Sequence, residues 1–221
     1  MRQLYLPMRV WDAPIRLFHW AIVVLVLFSW GSAEYNRMEL HKLSGYTILT
    51  LLLFRIVWGF IGSDTARFNR FLKSPIAAMI HLAHITRREA DREIGHNAAG
   101  GWMVLLMLLL LLVQVATGMV SNDDVSVEGP YAHLVGKDWS DWASHIHALT
   151  FTLIEIAVVL HVLAVLAYAL LKGQDLVRPM ITGKKRLPGN MRAPRMRSPL
   201  LALLILLISA GAVTALVQFA P

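Results

Sequence analysis

Five apolar runs, most of them about twenty residues long, constrain this chain more than any other feature. They cover residues 15–33, 41–61, 96–120, 142–171 and 200–219. A helix needs about 20 apolar residues to cross a bilayer, and inside lipid only helices and closed barrels satisfy every backbone polar group. At 57% hydrophobic residues, the 221-residue chain is also too apolar for an ordinary soluble domain. The sequence therefore predicts an all-α integral membrane protein.

The fourth run carries two histidines where a bilayer is driest. His147 and His161 are fourteen residues apart, which is within about 40° of a whole number of helical turns and corresponds to a rise of roughly 21 Å. Both imidazoles therefore share one helix face, one near each leaflet. Ionisable groups inside a span usually serve a function, and imidazole is a common haem-iron ligand. This helix could offer one axial ligand to each of two stacked haems; the alternative is two hydrogen-bonded core histidines.

Basic residues are distributed unevenly between the two sides of the predicted bundle. Of the 21 Lys and Arg residues, 17 lie in the N-terminal lead, in the long connection over residues 63–95 and in the connection between the fourth and fifth runs. The other side has only three. The positive-inside rule then places the N-terminus in the cytoplasm and the C-terminus in the periplasm. Topology and anionic lipid account for the net charge of +7, so no nucleic-acid partner is needed.

This topology sorts four histidines into two levels. His19 lies near the cytoplasmic end of the first span, whereas His41 opens the second span from the outer side. The fourth span also begins on the outer side, so His147 is outer and His161 is deeper. We therefore pair His41 with His147 for an outer haem iron and His19 with His161 for an inner one. His145 competes with His147, but the fourteen-residue spacing favours His147.

Four other polar residues lie in or near the spans, and for some of them two interpretations stay open. Arg55 lies inside the second span, where it would either meet a haem propionate or extend its charge to the membrane boundary. Arg16 is a second candidate for a propionate. We expect Glu155 to be neutralised by hydrogen bonding inside the bundle, although a proton relay is conceivable. His96 reads as a helix-end residue.

The connections add three expectations. Residues 75–88 have an apolar face followed by charges, which is typical of an interfacial amphipathic helix. His81 and His84 in this segment have metal-pair spacing, but without further ligands nearby we expect solvated surface histidines. Gly31–Ala33 resembles a signal-peptide cleavage site, yet we expect the first run to be retained as a membrane helix.

Absent residues and motifs narrow the chemistry. The chain has no cysteine, which excludes disulfides, cysteine-held iron–sulfur clusters, thiolate haem ligation and covalent CxxCH haem attachment. It also has no phosphate-binding loop, no Gly-rich dinucleotide fingerprint, no nucleophile elbow and no HExxH motif. Any metal must therefore use His, Met, Tyr, carboxylate or backbone ligands.

Several stretches resemble the membrane cytochrome b subunit of nickel–iron hydrogenases, within the wider bacterial cytochrome b561 family. They are RLFHW around His19, HKLSGYTILTLLLFRIVWG from His41, GHNAAGGWMVLLMLLLLLVQVATG from Gly95, HALTFTLIEIAVVLH from His147 and LVRPMITGKK from Leu176. The resemblance implies two b-type haems with bis-histidine ligation, carried over to His19, His41, His147 and His161. It predicts a four-helix haem-binding bundle over residues 1–185. Residues 186–221 add a basic cytoplasmic connection and a fifth transmembrane helix, which we expect to pack peripherally or to contact a partner.

The resemblance also implies electron exchange across a bacterial inner membrane, between a periplasmic redox partner and the quinone pool. The partner would be hydrogenase-like or a c-type cytochrome, and the reverse direction of flow fits the sequence equally well. One alternative is a stand-alone membrane oxidoreductase of the superoxide:quinone or small-molecule reductase type. The acidic connection over residues 121–141 would repel superoxide, which counts against it. Another alternative is a non-redox transporter or scaffold.

Overall fold

The structure is a computed structural model that describes residues 4–84, 86 and 93–220. Within these residues, five helices are long and apolar enough to cross a membrane. The elements are β1 (Tyr5–Arg9), α1 (Ala13–Glu34), α2 (Met38–Ile61), α3 (Phe68–Phe71), α4 (Pro75–Ala83), α5 (Ala98–Gly118), α6 (Ala132–Val135), α7 (Lys137–Ala167), α8 (Val177–Thr182), β2 (Lys184–Pro188) and α9 (Pro199–Gln218). The predicted all-α, multi-pass membrane fold is confirmed.

Side-chain caps set the beginnings of three spans. Asp12, Asn97 and Ser198 each accept a backbone N–H from the first turn of α1, α5 and α9, respectively. A cap of this kind satisfies a donor that would otherwise lack a partner at the end of a helix. The third span therefore begins at Ala98 rather than at residue 96. The fourth begins at Lys137 rather than at residue 142, because its first turns extend beyond the apolar run.

The bundle is built from two helical hairpins. α1 packs along α2, α5 packs along α7, and α2 and α5 join the two hairpins. At the centre, Ile48 and Leu52 of α2 pack in one buried cluster with Leu108 of α5 and Ile154 of α7. We call the end of the bundle at which α1 begins the inner end and the end at which α1 finishes the outer end. This arrangement leaves α1 and α2 on one side of the histidine pairs and α7 on the other.

A two-stranded sheet closes the inner end. β1 pairs antiparallel with β2, from Tyr5 opposite Pro188 to Arg9 opposite Lys184. The carbonyl of Gly183 then accepts the N–H groups of Val10 and Trp11. Gly183 has φ +77°, and a Cβ there would lie 2.9 Å from the Trp11 carbonyl oxygen, so only glycine suits this turn. The sheet fixes the N-terminal lead against the connection that follows α8.

The fifth span, α9, packs mainly along α2. Ala202 and Ile205 contribute to the buried cluster at the inner end. At the outer end, the Tyr131 hydroxyl donates to the carbonyl of Leu216. α9 therefore lies at the edge of the bundle, on the side away from α7.

Two expectations about polar residues are wrong. Glu155 is exposed on α7 rather than hydrogen-bonded inside the bundle, because the face of α7 that meets α5 lies elsewhere around the helix. His81 is half-buried rather than solvated, because it contacts Tyr168. The predicted amphipathic segment forms a helix over Pro75–Ala83. Of the rest of that segment, residues 85, 87 and 88 lie outside the described residues.

Candidate functional site

The structure brings four histidines together as two pairs. The ring centres of His41 and His147 are 6.1 Å apart at the outer level, and those of His19 and His161 are 6.3 Å apart at the inner level. Metal–imidazole bonds are about 2.0 Å long, so two rings on opposite sides of one metal ion have centres roughly 6 Å apart. The spacing of both pairs therefore suits an iron ion between the rings. Ligation by these residues stays a prediction.

Backbone carbonyls orient both outer imidazoles. His41 Nδ1 donates to the carbonyl oxygen of Ser29 at 2.9 Å, and His147 Nδ1 donates to that of Gln114 at 2.8 Å. A carbonyl can only accept, so each Nδ1 carries the proton and each Nε2 keeps its lone pair. Metal-binding histidines are commonly fixed by a hydrogen bond of this kind from the second nitrogen. Both outer rings are therefore in the tautomer that can bind iron through Nε2.

The outer pair borders a cavity of about 420 Å³. A Cβ on Gly118 would lie 2.9 Å from Cε1 of His147, so glycine is needed for the α5 backbone to pass this ring. Gly45, one turn beyond His41, lines the cavity, and a Cβ there would meet no atom within 4 Å. Gly118 thus allows close packing of α5 against His147, and Gly45 leaves open space near His41 that suits a flat porphyrin.

Gln114 is the polar side chain nearest to the imidazole of His147. Its Nε2 donates to Nε2 of His147 at 3.0 Å, so in this structure the amide occupies the lone pair that an iron ion would use. The Oε1 of Gln114 is buried with no hydrogen-bond partner in the described part of the chain. Gln114, Gly118 and Gly45 are not among the site residues expected from the sequence. An amide inside an otherwise apolar run was a signal for Gln114, because polar groups in a span usually face a site. The glycines carried no such signal.

At the inner level, two arginines lie close to the inner end of the bundle. Arg55 is only 2% exposed, and its guanidinium lies 5.0 Å from the ring centre of Phe68. Its Nη1 is buried and has no partner among the described residues. Arg16 donates to the carbonyl of Ile181 through Nη1, while its Nε is likewise buried and unpartnered in the described chain. Both groups have a donor available for a carboxylate.

His96 lies two residues before α5, in the position expected of a helix-end residue. Its ring packs between Trp11 and Phe71, with ring-centre distances of 4.7 and 4.9 Å. His96 Nδ1 is buried without a partner among the described residues. His96 is thus part of the packing at the inner end and belongs to neither histidine pair.

An acidic loop borders the mouth of the outer cavity. Asp123, in the lining of that cavity, accepts the backbone N–H groups of Val125, Ser126 and Val127 through Oδ1. These hydrogen bonds favour the charged form and hold the pKa of Asp123 below its ordinary value of 3.8. The loop conformation therefore depends on the ionised carboxylate.

We expect this loop to loosen in acid. The folded pKa of Asp123 lies below the unfolded one, so its contribution to loop stability is present above pH 3.8 and is lost as the pH falls through the lowered folded value. Hydrogen exchange at residues 125–127, corrected for the intrinsic pH dependence, should then accelerate. Asp123→Ala should produce the same acceleration at neutral pH, and Asp138→Ala, at an exposed position on α7, should not. Unchanged exchange in Asp123→Ala would contradict the assignment.

Comparison with known proteins identifies the family. Residues 10–183 match the sequence model of the prokaryotic cytochrome b561 family. The chain is also 23% identical over 210 residues to a probable Ni/Fe-hydrogenase B-type cytochrome subunit of Rhizobium leguminosarum bv. viciae, with 80% of this chain and 87% of that protein covered. No solved structure matches the chain. Because the family match covers most of the sequence and confirms the resemblance seen in its motifs, the chain belongs to the prokaryotic cytochrome b561 family.

Proposed function

We propose that this membrane b-type cytochrome carries electrons through the bilayer by way of two haem b groups, one at each histidine pair. The two pairs carry the proposal, with ring centres 6.1 and 6.3 Å apart and two members fourteen residues apart on α7. The rise along α7 between those two members is roughly 21 Å. Two haems at these sites would therefore replace one electron transfer across the whole membrane by shorter transfers.

The residues present fit haem b. His41 and His147 would hold the outer group and His19 and His161 the inner one, while the buried guanidinium of Arg55 supplies a donor for a propionate. Arg16 would be a second propionate donor. Bound between two imidazoles, haem supplies one-electron chemistry and leaves no open coordination position for oxygen. The chain itself holds the two outer rings in the binding tautomer, leaves a cavity beside the outer pair and surrounds both pairs with apolar helices.

Charge supports the orientation that we propose. The inner end carries the basic residues of β1 and β2, including Arg9 and Lys184–Arg186, and the outer end carries the acidic loop with Asp123. We place the inner end in the cytoplasm and the outer end in the periplasm of a bacterial inner membrane. The relative named as a hydrogenase cytochrome subunit suggests a hydrogenase-like electron donor at the outer end, and a c-type cytochrome is the alternative. The acidic loop disfavours direct use of superoxide.

We propose that quinone is the electron acceptor near the inner pair, and His161→Ala tests this. In the purified full-length variant, the outer haem should remain and be reduced by dithionite, because its ligands lie on the other level. Its reoxidation by decylubiquinone, followed by haem absorbance, should be much slower than in the wild type, since the inner site no longer relays electrons. His147→Ala should keep an inner haem that quinone reoxidises at the normal rate. Equal reoxidation of both variants and wild type would place the quinone elsewhere.

A further inference from the structure

A contact between α4 and the end of α7 lies below the inner histidine pair. The imidazole Nε2 of His81 is hydrogen-bonded to the hydroxyl of Tyr168, and the two rings stack with centres 6.0 Å apart and planes 17° apart. Tyr168 is only 5% exposed, whereas His81 is half-buried. The pair therefore joins a buried hydroxyl to a half-buried imidazole.

Tyr168 shares a helix face with His161. It lies seven residues further along, which is within about 20° of two full turns and corresponds to a rise of roughly 10 Å. The intervening residues 162–167 are VLAVLA, so Tyr168, which directly follows α7, is the first titratable group below the inner histidine on this helix. On the neighbouring elements, titratable groups with buried atoms at the inner end include Arg16 of α1, Arg55 of α2 and His96, which precedes α5. A proton moving from the inner end toward His161 along α7 would meet Tyr168 first.

The backbone changes form at the same residue. Tyr168–Lys172 is a π-helical turn, which ends at Gly173 with φ +67°. The Lys172 ammonium lies 5.6 Å from the centre of the Tyr168 ring. Single π-helical turns are rare and occur frequently at functional sites. The turn places a cation beside the phenol ring at the inner end of α7.

We propose that Tyr168 donates protons to the quinone reduced near the inner haem, and that His81 returns protons to Tyr168 from the aqueous side. This inference rests on the proposed function, because it requires that quinone accept electrons at the inner pair. The observation that carries it is the hydrogen-bonded His81–Tyr168 pair, placed two turns below His161.

Reduction of a quinone to a quinol takes two electrons and two protons. The electrons would come one at a time from the haem that His19 and His161 would hold. In each proton step the Tyr168 O–H bond breaks while an O–H bond forms on a quinone oxygen. The phenolate then takes a proton from His81, and His81 takes one from water at the inner end. Proton transfer of this kind requires groups within hydrogen-bonding reach, as the His81–Tyr168 pair is.

The test is Tyr168→Phe in the full-length, haem-loaded protein. The variant keeps the ring that contacts His81 and Lys172 and removes only the hydroxyl. Haem content, the reduced spectrum and reduction by dithionite should match the wild type. Reoxidation by decylubiquinone should slow by about tenfold or more, because a positioned acid typically contributes at least that much. Reoxidation by ferricyanide, which takes up electrons without protons, should be unchanged.

Matched variants separate a proton path from a structural contact. His81→Gln should slow quinone-dependent reoxidation but not ferricyanide-dependent reoxidation. If Tyr168→Phe loses haem, the two reoxidation rates of His81→Gln test the proton path instead. Tyr131→Phe removes the hydroxyl that contacts Leu216 at the outer end and should leave both rates unchanged. Normal quinone rates in Tyr168→Phe and His81→Gln, or slowing with ferricyanide as well, would overturn the proton path. If wild type itself is not reoxidised by quinone, the proposed function fails instead.

Discussion

Replacing His147 by alanine is expected to leave the purified protein with one haem b instead of two, whereas His145→Ala should keep both. The His147 ring lies 6.1 Å from that of His41 and is fixed by the carbonyl of Gln114, while His145 is exposed on another face of α7. Alanine at position 147 removes one of the proposed axial ligands and opens a gap beside Gly118. The two variants differ by two positions on one helix, so a general effect on folding would affect both.

Haem content per chain, from the pyridine haemochrome spectrum and protein quantitation, measures this result directly. The remaining haem of His147→Ala should keep the low-spin spectrum of bis-histidine ligation, because the inner pair is untouched. Electron entry from an outer donor should fall to background. Two haems in His147→Ala, together with loss of one in His145→Ala, would move the outer ligand to His145 and refute the assignment.

The sequence predicted the histidine pairs because two independent constraints agreed. Helical spacing put His147 and His161 on one face, and charge distribution set the depth of His19 and His41. Neither constraint depends on how helices rotate against their neighbours. Predictions that did depend on rotation failed: Glu155 is exposed, and His81 contacts Tyr168 instead of solvent. The sequence alone does not predict which face of α7 packs against α5 or α4.

Other features depend on contacts between distant parts of the chain. β1 pairs with β2 across about 180 residues, and no local pattern in the N-terminal lead predicts that pairing. The fourth helix begins five residues before its apolar run, since a helix continues into water when its polar first turn is satisfied there. The role of Gly118 follows from the imidazole that α7 places against it, and the sequence around Gly118 does not show that contact.

Gly118→Val should therefore abolish the outer haem while preserving the inner one. The first added carbon would lie 2.9 Å from Cε1 of His147, and valine adds two further methyl groups. Overpacking of a well-packed site typically costs about 1–3 kcal/mol, and here the ring displaced is the proposed ligand itself. His147 would be pushed off the Gln114 carbonyl that holds its tautomer, so its Nε2 would lose its alignment with His41.

Haem content and the midpoint titration of Gly118→Val distinguish loss of one site from general instability. We expect one haem per chain, with a potential that matches the haem left in His147→Ala, because both changes remove the same site by different routes. Gly211→Val on α9 is the control, since a Cβ there meets no atom within 4 Å. Two normal haems in Gly118→Val would mean that α5 and α7 separate enough to relieve the contact. Haem binding at the outer pair would then not require glycine at position 118.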